Sequence, residues 1–524
     1  MKTRLAIWLI IPVLSCTPRE ASRIVQPISV QEPERKQLPE GVIECPSPMG
    51  PFIRVGIDER QSFELQASDS FWVMVGSQGV FKAWPGKWRV RAKGLKSARF
   101  CFWMMMWRGP DSSAAHDTVL SLIQKGYPRS VVMPMGKVFA FPQETIDMRD
   151  FAVLVGPYAT ESEAMKNAPK PRQAVIKLTE NPAAGTLELV APDGRVPVVA
   201  EGPLRITGYK PIGINGKLYP DILEFLPSTD GRGILLVNEV QMENYLVGVL
   251  PYEMGPGFPK EALKAQAVLA RCHAFFVWGK KFKLTGEPYD LTDDVFTQVY
   301  NGIGEGWARV DSAVKETRGC VLLYEGRIIK APFHASCGGF LETSQAVWGE
   351  DIPGTGARPD APDSFELDIK KFIDNPPDVW CNPKTHDFPS GFKYGKAYFR
   401  WEKSKTGAEW GSTIAKNTGN DPGNITSMEV KDRGPGGRVT RLVVTGTKKT
   451  LTLEGEYNIR QALGLESALF YLEKEGKKLT IRGGGFGHGS GMCQIGAGVM
   501  ANEGKNYMEI LLHYFRGVVI REVY

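Results

Sequence analysis

The segment from residue 238 to residue 278 reads NEVQMENYLVGVLPYEMGPGFPKEALKAQAVLARCHAFFVW. A predicted strand leads into a first helix, and a turn rich in glycine and proline separates that helix from a second one. The second helix begins at Lys260, and Pro259 suits its first turn because proline has no N–H group to leave unsatisfied there. From Ala262 to Phe276 this helix is mostly Ala, Leu, Val and Phe, so most of its circumference is expected to be buried.

Three polar residues interrupt this apolar helix: Lys264, Gln266 and Arg271. Lys264 and Arg271 are seven residues apart and therefore share one stripe of the helix. A buried cation needs an anionic or hydrogen-bonding partner, or it must line a water-filled cleft. Glu253, just before the helix, is the candidate partner or neighbour, and the spacing is equally compatible with a purely structural salt bridge.

The composition is that of an ordinary globular protein, with 42% hydrophobic and 23% charged residues. At roughly 100–200 residues per domain, the 524 residues predict about three units. The formal net charge of +6 is compatible with an anionic surface but does not require one. The sequence has no dense basic run with interleaved aromatic residues, so a nucleic-acid partner is not predicted. Strand and helix patterns together predict a multi-domain α+β protein.

The N-terminus has the pattern of an export signal. An apolar stretch from Leu5 to Leu14 follows two basic residues and is too short to span a membrane well, so residues 1–15 are predicted to be a signal peptide. The stretch Val13-Leu-Ser-Cys16 resembles a bacterial lipobox, in which Cys16 carries the lipid. Ordinary secretion with an incidental cysteine is the alternative. Residues 16–48 are rich in proline and charge and predict a disordered tether.

The rest of the chain divides into three parts. Residues 49–96 alternate in polarity and predict a β-rich segment. Residues 97–182 predict a small βαββαβ insertion. Its elements are strands at 99–107, 130–135, 151–156 and 174–178 and helices at 112–125 and 160–167. Residues 183–524 form the third part and begin with short strands.

One stretch of the insertion has a recognisable pattern. Val153-Leu-Val-Gly-Pro-Tyr-Ala-Thr, followed by Glu163-Ala164, resembles the SPOR domain, a peptidoglycan-binding module. An unrelated insertion of the same topology is the alternative, because the match is short.

Several motifs of the third part occur in one order. They are ENYLVGVLPYEM (243–254), PKEALKAQAVLAR (259–271), YDLTDDVFTQVYNG (289–302), FHASCGG (333–339) with Val347-Trp348, GFGHGSGMCQIGA (485–497) and YMEILLHYF (507–515). This set resembles the SpoIID/LytB family, which comprises sporulation stage II protein D and the amidase-enhancer-like proteins. The resemblance covers roughly residues 185–524. The family's own motifs at two of these blocks are FHSxSGG and GHGxGMSQxGA. So many blocks in one order are not expected by chance.

The resemblance implies a lytic transglycosylase that cleaves MurNAc-GlcNAc bonds of peptide-stripped glycan strands to 1,6-anhydroMurNAc ends. Its acid/base is the glutamate before the Ala-rich helix, here Glu253. One carboxylate suffices because the nucleophile is the muramic acid's own 6-hydroxyl, which is intramolecular. The same glutamate protonates the leaving oxygen and takes the hydroxyl proton. This role needs a pKa raised by an apolar site, which Tyr252, Met254 and Phe258 would supply. No cofactor is implied.

The recurring blocks also supply candidate substrate-binding residues. Lys264, Gln266 and Arg271 occupy family positions and are expected to orient the glycan or Glu253. The other candidates are Gln298, Tyr300, His334, Ser336, Gly338, Trp348, His488 and Gln494. Each of these alone is equally compatible with a structural role. The glycines at 483–491 lack the Lys-Ser/Thr of a P-loop and are expected to let the backbone approach a sugar, with His488 at the tip.

The sequence departs from the family at a metal site. Some members bind zinc through cysteines and histidines near the TQVY block. Thr292, Phe296 and Thr297 stand at the corresponding positions here, and none of them binds zinc well, so no metal is predicted. The long segment from 354 to 396, rich in proline and aspartate, is expected to shape the cleft.

The cysteines leave other pairings open. The chain has eight, so lipidation of Cys16 would leave an odd number. His334 with Cys337, and Cys381 with His386, would give a different His/Cys site. A disulfide between Cys337 and Cys381 is an equal alternative. The dipeptide Met492-Cys493 replaces the Met-Ser of the family pattern.

Two functions from different classes fit these patterns. The first is the lytic transglycosylase, and the second is a non-catalytic binder that presents glycan to a wall amidase. A structural envelope lipoprotein is a third possibility. The expected partners are peptidoglycan glycan strands, the membrane through the lipid anchor, and a wall amidase. Thr17 is not the aspartate that retains lipoproteins at the inner membrane, so an outer-membrane location facing the periplasm is expected.

Overall fold

The computed structural model describes residues 42–45, 50–76, 79–171, 173–280, 286–294, 297–304, 306–363, 365–388 and 390–524. It is multi-domain and of mixed α and β structure, as the sequence predicted. The predicted signal peptide, Cys16 and the predicted tether up to residue 41 lie outside the described residues. Among the helices that are described, none is both long and apolar enough to cross a membrane.

The first strands precede the predicted insertion. They are β1 (Val42–Glu44), β2 (Phe52–Arg60), β3 (Ser62–Ala67), β4 (Phe71–Val75), β5 (Gly79–Ala83) and β6 (Gly86–Lys96). Strands β2 to β6 confirm the prediction that this segment is β-rich. Along β3 every second side chain is buried, as expected for a strand with one face in the core.

The next part of the chain is the predicted insertion. Its elements are β7 (Arg99–Gly109), α1 (Ser112–Gln124), β8 (Ser130–Met135), β9 (Val138–Ala140), β10 (Thr145–Asp147), β11 (Asp150–Tyr158), α2 (Glu161–Asn167) and β12 (Ala174–Asn181). Four strands form an antiparallel sheet in the order β12-β7-β11-β8, and both helices pack on it. The short β9 pairs with β10 and, in parallel, with β1. The end of the predicted tether is therefore not disordered, because β1 forms backbone hydrogen bonds with β9.

After the insertion the chain returns to the first strands. The returning strands are β13 (Ala184–Val190), β14 (Val198–Glu201), β15 (Leu204–Gly208), β16 (Ile212–Ile214), β17 (Lys217–Tyr219), β18 (Ile222–Pro227) and β19 (Ile234–Gln241). With the short β20 (Leu291–Thr292) they complete two sheets, in the orders β20-β2-β19-β18-β15-β4-β5 and β14-β13-β6-β3-β16-β17. The ring of Phe63 contacts Phe225, and Phe71 contacts Trp88, so the sheets pack face to face. The predicted segments 49–96 and 183–524 thus share both sheets.

A helical layer follows the sandwich. Its elements before residue 400 are α3 (Met242–Glu253), α4 (Lys260–Val277), α5 (Ala308–Glu316), β21 (Cys320–Tyr324), β22 (Arg327–Ile328), β23 (Phe333–His334), β24 (Phe340–Leu341), α6 (Ser344–Trp348), β25 (Arg358–Pro359), α7 (Ile369–Asp374), a 3-10 helix (Ser390–Gly395) and α8 (Lys396–Phe399). The elements at the C-terminus are β32 (Met492–Cys493), α11 (Gln494–Asn502), α12 (Tyr507–Tyr514) and β33 (Val519–Glu522). Helix α4 contacts α3, α5, α11, α12 and β21. The predicted burial of α4 is confirmed, because nearly every residue from Ala262 to Phe275 is buried.

Residues 400–484 form a smaller unit between α8 and the glycine-rich segment. Its elements are β26 (Arg400–Thr406), α9 (Gly407–Thr418), β27 (Ile425–Arg433), β28 (Val439–Gly446), β29 (Thr450–Glu454), α10 (Glu456–Leu463), β30 (Phe470–Glu475) and β31 (Lys478–Gly484). Two three-stranded sheets and two helices enclose a separate core around the fully buried Trp410. The indole Nε1 of Trp410 donates to the carbonyl of Leu479 at 2.8 Å, which satisfies its polar atom.

The cation at the centre of α4 is paired, but not with Glu253. Arg271 is fully buried and donates through Nε and Nη2 to the two carboxylate oxygens of Glu243 in α3, at 2.9 and 2.6 Å. Its Nη1 donates to the carbonyl of Cys320 at 3.0 Å. The hydroxyl of Tyr524 also donates to Glu243. The predicted contact of Arg271 with the glycan or with Glu253 is therefore wrong, because the whole guanidinium is enclosed and bonded in the core.

Lys264 is also placed differently from the prediction. Its Nζ lies 2.7 Å from a carboxylate oxygen of Glu261 and 2.8 Å from one of Glu316. Both carboxylates are partly solvated, so the three groups form an ion-pair network at the edge of the helical layer. The suggested pairing of Lys264 with Glu253 is not found.

Replacing Arg271 with alanine is expected to lower the free energy of unfolding by about 3–5 kcal/mol, because Glu243 would remain buried without its cation. The matched control is Lys264→Ala, on the same helix, where loss of a partly solvated ion pair should cost about 0–1 kcal/mol. Urea unfolding followed by circular dichroism measures both. Equal losses of unfolding free energy in the two variants would contradict the prediction that the buried ion pair matters more than the partly solvated one.

Candidate functional site

Glu253 is the last residue of α3, where Pro251 occupies the final turn of the helix. Its side chain is partly exposed, while the neighbouring Met254 and Phe258 are fully buried. The backbone N–H of Val299 donates to Glu253 Oε1 at 3.2 Å. Burial raises the pKa of the carboxyl above its usual value, and the Val299 hydrogen bond opposes this only in part. The site therefore favours a protonated glutamic acid at a higher pH than a solvated one.

Gln494 holds the backbone of Glu253, and Gln266 holds the side chain of Gln494. Gln494, the first residue of α11, donates through Nε2 to the carbonyl oxygen of Glu253 at 2.9 Å and to Gln266 Oε1 at 3.2 Å. Gln266 is fully buried in α4. Gln494 and Gln266 were predicted to bind substrate, but the hydrogen bonds they make position Glu253. The predicted substrate contact of Gln266 is wrong, because its buried side chain leaves no surface for a sugar.

Gln298 and Tyr300 anchor the segment that carries Val299, which contacts Glu253. Tyr245 donates its hydroxyl proton to Gln298 Oε1 at 3.2 Å, and Tyr300 donates to Asn238 Oδ1 at 2.7 Å. Both side chains are buried, at 1% and 0% exposure, so they do not face a cleft as predicted. Their anchoring instead holds the N–H of Val299, the residue between them, against the carboxylate.

Two histidines and a tryptophan form a second cluster. The rings of His334 and His488 are 5.3 Å apart, and the ring of Trp348 lies 4.7 Å from that of His488. The N–H of Ser490 donates to His488 Nδ1 at 3.1 Å. Burial lowers the pKa of His488 to about 3 and that of His334 well below its usual value, so both rings are neutral at physiological pH. Trp348 is 41% exposed, which makes it the member of this cluster best placed to contact a ligand.

A row of aromatic side chains runs from the turn after Glu253 to the glycine-rich segment. Phe258 contacts the ring of Tyr394, which contacts Tyr398, and the ring of Tyr398 lies 4.5 Å from that of Phe486. Tyr394 and Phe486 are 53% and 39% exposed, so part of the row is accessible to solvent. Near Glu253, exposed Tyr252 packs edge-on against the Trp307 ring.

Tyr394 and Tyr398 were not among the candidates from the sequence, although the segment from 354 to 396 was expected to shape the cleft. The i,i+4 spacing of the two tyrosines was the signal that was available.

Ser336 and Gly338 support the glycine-rich segment and were wrongly expected to line the cleft. Ser336 is fully buried and exchanges backbone hydrogen bonds with Phe486, at 3.1 and 2.8 Å. Gly338 has a φ of 73°, and a Cβ there would lie 2.7 Å from the backbone nitrogen of Gly485. This contact leaves no room for a side chain at position 338.

The glycines at 483–491 admit close neighbours from the same chain. A Cβ on Gly489 would lie 1.9 Å from the guanidinium carbon of Arg438, and one on Gly491 would lie 2.0 Å from the carbonyl oxygen of Pro332. These glycines were expected to let the backbone approach a sugar. At positions 489 and 491 the close neighbours of the backbone are protein atoms instead.

The suggested His/Cys pairs are not formed. The ring nitrogens of His386 lie 2.5 Å from Glu503 and 3.0 Å from Asp378, so neither is directed at Cys381. His334 Nδ1 contacts the carbonyl oxygen of Ser490. At the position of the family's zinc site, the hydroxyls of Thr292 and Thr297 lie 3.1 Å apart and bond each other, while Phe296 lies outside the described residues.

Comparison with known proteins adds two matching domains. A family model described as "Stage II sporulation protein" matches residues 230–324, which include Glu253 and all of α4. A model described as a domain of unknown function matches residues 385–491, which include the smaller unit, Tyr394, Tyr398 and Phe486.

Three proteins illustrate the similarity, each 30% identical to this chain. Stage II sporulation protein D of Bacillus subtilis (strain 168) aligns over 298 residues, which is 55% of this chain and 76% of that protein. An uncharacterized protein of Brachyspira hyodysenteriae aligns over 308 residues, 59% of this chain and 73% of that protein. The amidase enhancer of B. subtilis aligns over 329 residues, 59% of this chain but 45% of the enhancer.

The raised pKa of Glu253 has a consequence for stability. A carboxyl whose pKa is higher in the folded state than in the unfolded state destabilises the fold once the pH exceeds its unfolded pKa, because the folded state then holds the charge less favourably. Glu253→Gln should therefore melt at a higher temperature than the wild type at about pH 7, and the difference should shrink as the pH falls through the folded pKa.

Thermal unfolding at several pH values measures this difference in melting temperature. Glu316→Gln is the control, because the pKa of Glu316 is shifted in the opposite direction. Hydrogen bonds from Lys260, Lys264 and Ser312 lower the pKa of Glu316 to about 2. The Glu316 variant should lose stability at neutral pH and approach the wild type in acid. A Glu253 variant that behaved like the Glu316 variant would contradict the predicted desolvation.

Proposed function

The chain belongs to the family of stage II sporulation protein D and the amidase enhancer, and we propose that it acts on the bacterial cell wall as a peptidoglycan lytic transglycosylase. It would cleave MurNAc-GlcNAc bonds of peptide-stripped glycan strands to 1,6-anhydroMurNAc ends. The observation that carries this proposal is the partly exposed carboxyl of Glu253, whose pKa is raised by burial and whose backbone is held by Gln494.

In this mechanism Glu253 acts first as an acid and then as a base. Its proton passes to the glycosidic oxygen as the bond to the anomeric carbon of the muramic acid breaks. The 6-hydroxyl of the same sugar then attacks that carbon, and Glu253 takes the hydroxyl proton. Because the nucleophile belongs to the substrate, a second carboxylate is not required to activate water. The Val299 N–H orients Oε1 while leaving the acid partly open to solvent.

The aromatic row offers a binding surface for the glycan. Sugar rings present C–H groups on their faces, and flat apolar side chains with polar edges suit such faces. Tyr394, Tyr398 and Phe486 lead away from the turn beside Glu253 and would support successive sugars. Trp348 is a further exposed aromatic side chain, beside the paired histidines.

We also propose the placement and division of the chain that its sequence suggests. The 1–15 signal peptide would be removed and Cys16 lipidated, with residues 16–48 linking the lipid to the body. The body would face the periplasm from the outer membrane. The insertion over 97–182 would act as a SPOR-like peptidoglycan-binding module beside the β-rich segment 49–96 and the catalytic region 183–524.

The second candidate is a non-catalytic enhancer that presents glycan to a wall amidase. The 30% identical relative named amidase enhancer favours it. The two candidates differ in what Glu253 does, because an enhancer needs the cleft but not its acid.

Digestion of peptide-free glycan strands distinguishes them. The wild-type chain is expected to release fragments with 1,6-anhydroMurNAc ends, detected by mass spectrometry. Glu253→Gln should reduce the rate by about 100-fold or more while glycan binding is retained, since removal of a general acid typically costs that much. Glu261→Gln, a conservative change at the edge of the same helical layer, is the matched control and should stay active.

Binding without anhydro products from the wild type would support the enhancer and overturn the enzyme. The rate should also fall as the pH rises through the pKa of Glu253, because the acid must be protonated. A rate that is independent of pH in this range would contradict its role as the acid.

The aromatic row gives a separate prediction. Tyr398→Ala should weaken binding of a glycan oligomer about tenfold, which corresponds to about 1.4 kcal/mol of lost contact. Tyr209→Ala is the control, because Tyr209 is 83% exposed and packs on Trp72 in the β-sandwich. Isothermal titration measures both, and equal affinities for the two variants would argue against the row as a binding surface.

A further inference from the structure

Four buried side chains from distant parts of the sequence meet at one point. They are Cys337, Asp360, Cys381 and Cys493, and one ligand atom from each lies within 4.8 Å of all the others. Cys337 follows β23, Asp360 follows β25, Cys381 lies in the segment after α7, and Cys493 is the N-cap residue of α11. All four are at most 1% exposed.

The four ligand atoms are close enough together to surround a single metal ion. In a tetrahedral zinc site the ligand atoms are about 3.5–3.8 Å from one another, given zinc–sulfur and zinc–oxygen bonds of about 2.3 and 2.0 Å. The Sγ atoms of Cys337 and Cys381 are 3.6 Å apart, which lies within this range. Cys337 Sγ lies 3.0 Å from Asp360 Oδ2, so these two atoms would have to separate by about 0.5 Å to hold the ion. Three sulfurs and one carboxylate oxygen form a ligand set of the kind that zinc prefers.

Backbone N–H groups face two of the three sulfurs and could stabilise thiolates bound to a metal. Gly339 N donates to Cys337 Sγ at 3.2 Å, and both Cys337 N and Gly496 N donate to Cys493 Sγ at 3.3 Å. Such donors stabilise negative charge on sulfur. His513 Nε2 lies 3.0 Å from Asp360 Oδ1, the oxygen that the cluster does not use. A partner of this kind typically orients a ligating carboxylate.

Two buried or half-buried arginines add positive charge near the cluster. Arg438 Nη2 donates to the carbonyl of Cys337 at 2.8 Å, and Arg400 Nη1 donates to that of Gly338 at 2.9 Å. Three thiolates and one carboxylate around a dication carry a net charge of −2, so two nearby cations would balance the site. Without a metal, several buried acidic groups at this spacing would repel one another when ionised.

We propose that Cys337, Asp360, Cys381 and Cys493 bind one Zn²⁺ ion in a closed, structural site. The site differs from the family's zinc position near the TQVY block, where this chain has threonines. Cys493 stands where the family pattern has serine, and Cys337 stands at the second serine of FHSxSGG, so two of the ligands are departures from those patterns. The ion would join the start of α11 to three loops. Because Gln494 follows Cys493, the same junction holds the backbone of Glu253. This proposal does not depend on the proposed function.

Zinc content tests the proposal directly. The full-length chain, purified in detergent, incubated with zinc sulfate and freed of excess ion, is expected to hold about one zinc per chain by plasma mass spectrometry. Cys493→Ser and Cys337→Ser each restore the serine of the family pattern, so they should fold, and each should lose most of the bound zinc. Cys101→Ser, in the insertion, is the matched control and should keep it.

A second measurement needs no variant. Adding a mercurial thiol reagent to the wild type should release zinc in proportion to thiols modified, as detected by a chromogenic chelator. Wild-type chain that retains no zinc after incubation would overturn the proposal. So would a disulfide between Cys337 and Cys381 in the purified chain, detected by mass spectrometry of alkylated, unreduced peptides, because two ligands would then be lost.

Discussion

A guanidinium buried in a protein core must have its charge and its hydrogen-bond donors satisfied, and the arrangement of the helical layer meets this requirement around Arg271. The carboxylate comes from Glu243 in α3, one carbonyl comes from Cys320, and the hydroxyl of Tyr524 completes the group from the C-terminus. Three separate parts of the chain must therefore converge on α4. This convergence aligns α3, and with it Glu253 at the far end of the same helix.

The carboxyl of Glu253 depends on that alignment. Its environment combines a desolvated position with hydrogen bonds to its backbone and to one of its oxygens, from Gln494 and Val299. Such a position disfavours the charged form and so lowers stability at neutral pH, a trade that is common where a group must exchange protons. The buried residues around it, Gln266, Gln298 and Tyr300, act by holding these donors in place rather than by touching a ligand.

The smaller unit contributes to the main body in two ways. It places Arg438 and Arg400 beside the loops that carry Cys337 and Gly338. Its flanking segments supply Tyr398 and Phe486, which form the exposed aromatic row. The domain of unknown function that matches residues 385–491 thus includes the two arginines that bond to these loops and part of the candidate binding surface.

The sequence by itself determined the buried helix α4, the strands and helices of the insertion, and the family, because these follow from local periodicity and from motifs in a set order. The same motifs made Glu253 the candidate acid. The sequence did not determine the partner of Arg271 or the roles of Gln266, Gln298, Ser336 and Gly338. Spacing along a helix shows which residues share a face, but not which distant segment covers that face. Only the tertiary structure decided that Glu243 lies opposite Arg271 and that Cys337, Asp360, Cys381 and Cys493 meet. Contacts between residues so far apart in sequence arise from the packing of whole elements, which no local pattern records.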